Sequence, residues 1–238
     1  MEVHHHPEVG HKSFKEYLLE GLMIFVAVTL GFFAESLREH LHDNSKKHEY
    51  MVSLAQDLRA DTAATHYSVS VETMLLAKCD TLLELMLNPP TDPLHILKTY
   101  QLVWATMDAE DVNYDNRTYD ALKSSGDMRL LQTEPVLDSL QQYVHYTLEA
   151  QDQDEFVHRQ LEVMSDAGNR IFIARQRFKR TAPGDFRFAT SDSVMFNEYC
   201  GRLGFYMGVV QAYVRQLHRQ DKRARNLLKL LHTEYDID

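Results

Sequence analysis

The chain has 238 residues, 44% hydrophobic and 25% charged, and its six prolines and nine glycines form no Ser/Gly-rich or Pro-rich linker. This composition fits one globular domain plus a membrane segment and argues against a second independent domain. Cys79 and Cys200 are the only cysteines, which excludes the disulfide framework of a small secreted domain and leaves either one bridge or, the preferred reading, two small buried hydrophobes. The net charge of −10 excludes a general nucleic-acid binder, whose footprint is a basic domain.

Residues 1–16 read as a flexible tail containing His4, His5, His6 and His11. Three adjacent histidines do not make a specific metal site without a fixed ligand geometry, so no metal is assigned there. Residues 17–34, Tyr17 to Ala34, then give eighteen positions with one charge, Glu20. As a helix this run spans about 27 Å, close to the roughly 30 Å hydrocarbon core of a bilayer, and a transmembrane helix is expected. A cleaved secretory signal fits less well, because the region ahead of the run is His-rich and mixed in charge and a bulky Phe32 stands two residues before Ala34. A buried core helix is the other rival, since the strictly uncharged part is only Gly21 to Ala34. Glu20 either reaches the headgroup layer or faces the inside of a cluster of anchors, in which Ala27 and Gly31 form a small-x-x-x-small contact. Orientation is a close contest between Lys12 and Lys15 before the span and Arg38, Lys46 and Lys47 after it.

No proline or glycine occurs between Phe32 and Asn88, and Leu37, Leu41, Met51, Leu54, Leu58, Leu75, Cys79, Leu82 and Met86 recur at helical spacing. The anchor therefore runs on into a long helix, with Asp43-Asn44-Ser45 as the one place for a break. Asn88-Pro89-Pro90 stops it, and Asp92 with Pro93 caps and opens the next helix, through Leu97, Val103 and Trp104. The acidic loop with Asp108, Glu110, Asp111 and Asp115 lacks the spacing of a calcium-binding loop and reads as solvated. A short helix over residues 116–125 ends at Gly126. Thr133-Glu134-Pro135 opens a very long helix whose apolar stripe continues through Ile171 and Phe172 to about Thr181, and Ser191 or Asp192 caps the last one, to Leu231. No strand alternation or internal repeat is found.

The expected fold is all-α: the N-terminal transmembrane helix continues into an elongated antiparallel bundle of about four helices over residues 35–238, three of about forty residues and one broken. In the last helix Gly204, Gly208 and Ala212 leave a flat strip expected to meet a close helix neighbour. Arg215, Arg219, Lys222, Arg223, Arg225 and Lys229 stand against Asp221 alone; they are either a solvated helix face or a contact with anionic lipid headgroups.

Chemistry is sparse. Glu155 to His158 is a Glu-x-x-His element in the folded part, but a paired-metal bundle site needs two such elements facing each other with a further Glu from each of two other helices, and the motifs of phosphate loops, zinc proteases, dinucleotide folds and serine hydrolases do not occur. No catalytic residue and no cofactor are assigned, and a non-enzyme is expected.

Thr118-Tyr119-Asp120-Ala121-Leu122-Lys123-Ser124-Ser125-Gly126-Asp127-Met128-Arg129-Leu130-Leu131 resembles a hallmark of a family of uncharacterised bacterial single-pass membrane proteins. The anchor Glu20 to Arg38 and the stretch Glu49 to Leu58 with Asp61 are similar to the same family, so the resemblance covers roughly the first 145 residues. It implies one N-terminal membrane helix in the bacterial inner membrane and a helical domain, slightly favoured in the periplasm. The His-rich tail departs from the family's basic one. No reaction comes with the family. At the motif, Lys123, Ser124, Ser125 and Gly126 form either a satisfied corner between helices or an anion contact. The expected role is binding: a scaffold or homo-oligomeric assembly subunit whose partners are the bilayer and further copies or another membrane protein. The alternative is a ligand-sensing bundle that signals through a partner chain, residues 1–16 being too few for an output module.

Overall fold

The computed structural model describes residues 13–107, 112, 114–131, 135–178 and 181–237. The histidine tail before Ser13, the acidic residues Asp108, Glu110 and Asp111, and Thr133-Glu134 lie outside them. Six α-helices follow in order: α1 Phe14–Leu87, α2 Pro93–Ala105, α3 Arg117–Ser125, α4 Pro135–Gly168, α5 Ala174–Phe178 and α6 Ser193–Tyr235, with short 3₁₀ turns at Asp127–Leu131 and Pro183–Asp185. Among the described residues there is no strand, only an isolated antiparallel bridge between Phe172 and Phe188. The fold is all-α.

The chain divides into two compact units, Met1–Glu49 and Tyr50–Asp238. The described part of the first is helix α1 up to Glu49, and every side chain from residue 13 to 42 is exposed. Among the described residues, α1 is the one helix with a segment long and apolar enough to cross a membrane. The helix runs through Asp43-Asn44-Ser45 without the break those capping residues allow.

In the second unit the legs are α1 from Tyr50 onward, the broken return through α2 and α3, then α4, then α6. The return leg runs back along α1: Asp61 accepts a hydrogen bond from Asp115 N at 2.8 Å, and Tyr50 OH donates to Asp127 Oδ2 at 2.8 Å. Helices α4 and α6 are antiparallel, since the pairs Gln142–Arg223, Glu149–Gln216 and Gln153–Val209 advance along one as they retreat along the other. Local chemistry sets most boundaries. Helix α1 stops ahead of Pro89-Pro90, where the ring removes an N–H and disfavours helical geometry in the preceding residue. Asp92 Oδ2 accepts from His95 N at 3.1 Å with Pro93 at the first position of α2. Asp192 Oδ1 accepts from Val194 N at 2.9 Å to open α6, and Gly126 closes α3 at φ +77°.

Two expectations fail. Helix α4 ends at Gly168, well short of Thr181. Ile171 and Phe172 are buried as the apolar period requires, at 0% and 3% exposure, but from a turn in which both backbone amides donate to Gly168 O and Ala189 N donates to Ile171 O. At Gly168 an added Cβ would lie 3.2 Å from the Tyr199 ring, so the chain turns where that aromatic presses on the helix. The strip Gly204, Gly208 and Ala212 is no seam within the chain. Gly204 and Gly208 are exposed, and a Cβ on either would meet nothing within 4 Å. The buried face of α6 instead carries Leu203, Tyr206, Val210, Tyr213 and Leu217.

Apolar packing forms two clusters. One holds Met51, Leu54, Leu58, Leu122, Leu140 and Leu227; the other holds Leu75, Cys79, Leu82, Met164, Tyr199 and Leu203. Cys79 and Cys200 are both free, buried thiols.

The glycines give a paired prediction. Gly208→Ala, with open space around it, should raise stability by about 0.5–1 kcal/mol. Gly126→Ala, forced into the left-handed region, should lower it by about 1 kcal/mol. Thermal unfolding of both variants followed by circular dichroism checks the opposite signs.

Candidate functional site

Between the two apolar clusters the core of the second unit turns polar. On α1 the buried positions after Leu58 are Asp61, Thr65, Ser68 and Glu72, exposed by only 2%, 1%, 2% and 1%. Their spacing of four, three and four keeps them on the face that carries Leu58 and Leu75. Helix α4 brings Tyr143 and Thr147, and α6 brings Tyr213, Gln216 and Gln220, all buried. Asp61 accepts from Tyr143 OH and from Asp115 N. The chain of bonds continues from Gln220 Nε2 to Thr147 Oγ1, and from Thr147 Oγ1 to Tyr143 O. At the surface of the belt, Gln216 Nε2 donates to Glu149 Oε2 at 2.9 Å and Gln216 Oε1 accepts from Arg219 Nε at 2.9 Å.

Every buried charged side chain among the described residues is an acid: Asp57, Asp61, Glu72 and Asp127. Burial pushes the Asp61 carboxyl above the ordinary carboxylate range, against the pull of its hydrogen bonds from Tyr143 and Asp115 and together with repulsion from Asp115 and Asp57. The Tyr143 hydroxyl is raised by burial first and by the Asp61 charge and hydrogen bond next, so it stays a donor. Tyr213 is raised by burial and by Asp154, and Tyr114 is pushed up to about 12, mainly by burial. Ser68 Oγ and Tyr206 OH, both fully buried, meet no hydrogen-bond partner among the described residues.

One turn before Asp61, Asp57 performs a second task. Asn116 makes no side-chain capping bond at the start of α3. Asp57 Oδ2 replaces it from α1, accepting from Thr118 N at 3.1 Å and Thr118 Oγ1 at 2.6 Å, while Arg117 approaches Asp57 Oδ1 at 3.3 Å. Arg117 and Asp115 pair at 2.6 Å on the outside.

The motif around Lys123 to Gly126 joins the same contact. Ser125 Oγ accepts from Asp127 N at 3.3 Å and lies 3.4 Å from Tyr50 OH, and Ser124 Oγ donates back to Ala121 O at 3.2 Å. These hydroxyls are engaged within the corner, and Lys123 is exposed. Tyr50 and Asp57 on one side and Thr118, Ser125 and Asp127 on the other thus bring together two of the three stretches that carry the family resemblance. Of the cationic face, Arg219 is held by Gln216, Arg223 donates to Gln142 and lies over the Tyr146 ring, and Arg225 bonds Asp221 and His66. Arg215, Lys222 and Lys229 are exposed. Glu155 is exposed and pairs with Arg159 at 3.4 Å, away from the core. Among the described residues no group of three or more His, Cys, Asp or Glu is placed to hold a metal ion. Glu20, Ala27 and Gly31 are exposed on the first unit.

Thr65, Ser68 and Glu72 escape a reading that follows apolar residues alone. Their signal is the gap between Leu58 and Leu75, across which the period continues in polar residues.

Neither a family model nor a curated protein nor a solved structure matches the chain, so the resemblance rests on the residues quoted for it.

A carboxyl whose folded pKa is raised keeps its proton where the unfolded chain, with an ordinary value of about 3.9, has lost it. Its stabilisation is complete below that value and is lost as pH rises through the folded pKa. Asp61→Asn has no proton to lose. Its stability relative to wild type should therefore climb as pH is raised above about 4, a trend read from urea unfolding at a series of pH values.

Proposed function

We propose that this chain is a membrane-anchored helical bundle that acts by binding, as a scaffold or homo-oligomeric assembly subunit. One observation carries the reading: all eighteen residues from Tyr17 to Ala34 are exposed and all but one are uncharged. Phe25, Leu30 and Phe32 stand 67%, 61% and 73% exposed. An apolar surface that wraps the whole circumference of a helix is satisfied by hydrocarbon, whereas a helix that packs against a protein on one side carries an apolar stripe. The second unit buries its own apolar face in its two clusters and has no need of this segment for a core.

In this reading residues 17–34 cross a bacterial inner membrane once, and the bundle lies in the periplasm. Copies associate through the close approach that Ala27 and Gly31 allow, with Glu20 turned into the cluster. The exposed cations Arg215, Lys222 and Lys229 are available to anionic headgroups or to solvent. A second reading, a ligand-sensing bundle that works through a partner chain, draws on the acid-only belt, where a change of charge bears on all the packed legs together.

Membrane fractions washed with alkaline carbonate should retain the full chain and release a variant lacking residues 17–34; equal release of both would overturn the anchor. Light scattering in mild detergent, corrected for bound detergent, should give a defined oligomer that Gly31→Leu dissociates. A monomer at every concentration would sink self-assembly and leave the anchor standing.

A further inference from the structure

In a chain of net charge −10, residues 170–187 carry Arg170, Arg175, Arg177, Lys179, Arg180 and Arg187 against Asp185 alone. Arg170 pairs with Glu198 at 2.6 Å. Arg177 lies over the Trp104 and Phe178 rings and donates to Asn169 Oδ1 and Met107 Sδ. Arg175 and Arg187 are exposed and form no ion pair with a described carboxylate. Both line a groove of about 680 Å³ bounded by the first turn of α2, by α5 and by residues 181–187. Small-molecule sites have roughly 300–1,000 Å³.

Hydrogen bonds stitch the walls of this groove together. Tyr100 OH accepts from Ile173 N at 2.8 Å and donates to Arg187 O at 3.1 Å. Gln176 Nε2 donates to Asp185 O at 2.8 Å, and its Oε1 accepts from Arg187 N at 3.1 Å. The backbone segments that carry Arg175, Asp185 and Arg187 are thereby fixed to one another, which lowers the ordering cost of taking up a ligand. Ile96 and Phe186, at 4% and 7% exposure, give the groove a buried apolar lining.

The charged lining among the described residues is Arg175, Asp185 and Arg187. Phe186 is extended, at φ −68° and ψ 130°, and buried, so Asp185 and Arg187 on either side of it stand together on the open side. The Asp185 carboxylate nonetheless pairs with neither guanidinium. Asp92, the cap of α2, does not line the groove and is engaged by His95 N at 3.1 Å and His95 Nδ1 at 2.8 Å. A simple anion would satisfy the arginines and be repelled by Asp185, and a simple cation would meet the reverse. A ligand with two carboxylates and one ammonium answers all three side chains, and the guanidinium fork matches a carboxylate.

We propose that this groove binds an acidic amino acid, with its two carboxylates on Arg175 and Arg187, its ammonium on Asp185 and its methylene stem over Ile96 and Phe186. The site lies within the second unit and is independent of the membrane anchor and of self-association.

The test is titration calorimetry on the full chain in mild detergent with L-glutamate, with glutarate, which lacks the ammonium, and with 4-aminobutyrate, which lacks one carboxylate. Glutamate should bind about ten-fold or more tightly than either. Arg187→Gln, a change at an exposed position, should keep the melting temperature and weaken glutamate about ten-fold or more. Should that variant melt early, Arg175→Gln on α5 carries the same expectation. Asp185→Asn should weaken glutamate while leaving glutarate unchanged or tighter, a crossover that a merely structural role of Asp185 would not produce. No binding of glutamate up to about 10 mM, equal binding of glutarate, or unchanged glutamate binding in a folded arginine variant would overturn the assignment, whatever the carbonate wash shows of the anchor.

Discussion

Two carboxylates one turn apart on α1 hold the bundle's return leg. Asp57 takes the first donors of α3 and Asp61 takes the amide of Asp115, so the loop between α2 and α3 is tied at two successive points to the helix it runs beside. A hydrogen bond to a charged group contributes about 1.5–3 kcal/mol. Removing the acceptor leaves a buried donor such as Thr118 N without a partner, at a further cost of about 1–3 kcal/mol. The α3 helix has nine residues and could not stand alone in water. It exists because a tertiary cap replaces the local one that Asn116 does not supply, and because Leu122 is buried in the cluster below.

That arrangement explains why the core is divided. An apolar side chain at Asp61, Thr65, Ser68 or Glu72 would bury about 1.5–3 kcal/mol of hydrophobic free energy. The polar belt gives this up four times in succession on α1. In exchange it fixes which residues face one another: Tyr143 of α4 meets Asp61, and Gln220 of α6 meets Thr147 one turn further along. A seam of Leu on Leu tolerates a slip of one turn, whereas a carboxylate displaced from its donors does not, so buried polar groups of this kind fix register. Among the described residues the fully buried charged side chains are all acids, and Asp57 is met from outside by the exposed Arg117.

How much of this the sequence carries depends on distance along the chain. The cap at Asp92 with Pro93, the stop at Pro89-Pro90 and the close at Gly126 are each decided within four residues, and each is legible. The stripe Met51, Leu54, Leu58 and Leu75, Cys79, Leu82, Met86 is equally plain and is the buried face of α1. The cap that Asp57 provides for α3 is not legible, since donor and acceptor are 61 residues apart. Ile171 and Phe172 mislead in a different way. Their apolar period reports burial correctly, but burial in a turn satisfies the same pattern as burial on a helix. The four-residue spacing of Gly204, Gly208 and Ala212 suggests a seam, and only the position of the α6 core face, set by Tyr206, Val210 and Tyr213, shows that the two glycines point outward.

Exposed apolar surface is the quantity on which the anchor reading turns, and its two major occurrences differ in kind. From Tyr17 to Ala34 it covers a helix all round, with no polar rim and no concavity; nothing but a continuous apolar medium or several neighbours at once could cover it. At the end of α1 it is concave: Met86, Phe196 and Cys200 form the floor of a groove whose rim carries Ser191 and Asn197. A single exposed residue such as Phe205, 56% exposed, needs no such account, because isolated apolar side chains are normal on protein surfaces. The first is open over its whole circumference and the second is bounded by a rim, so the two differ in what could cover them.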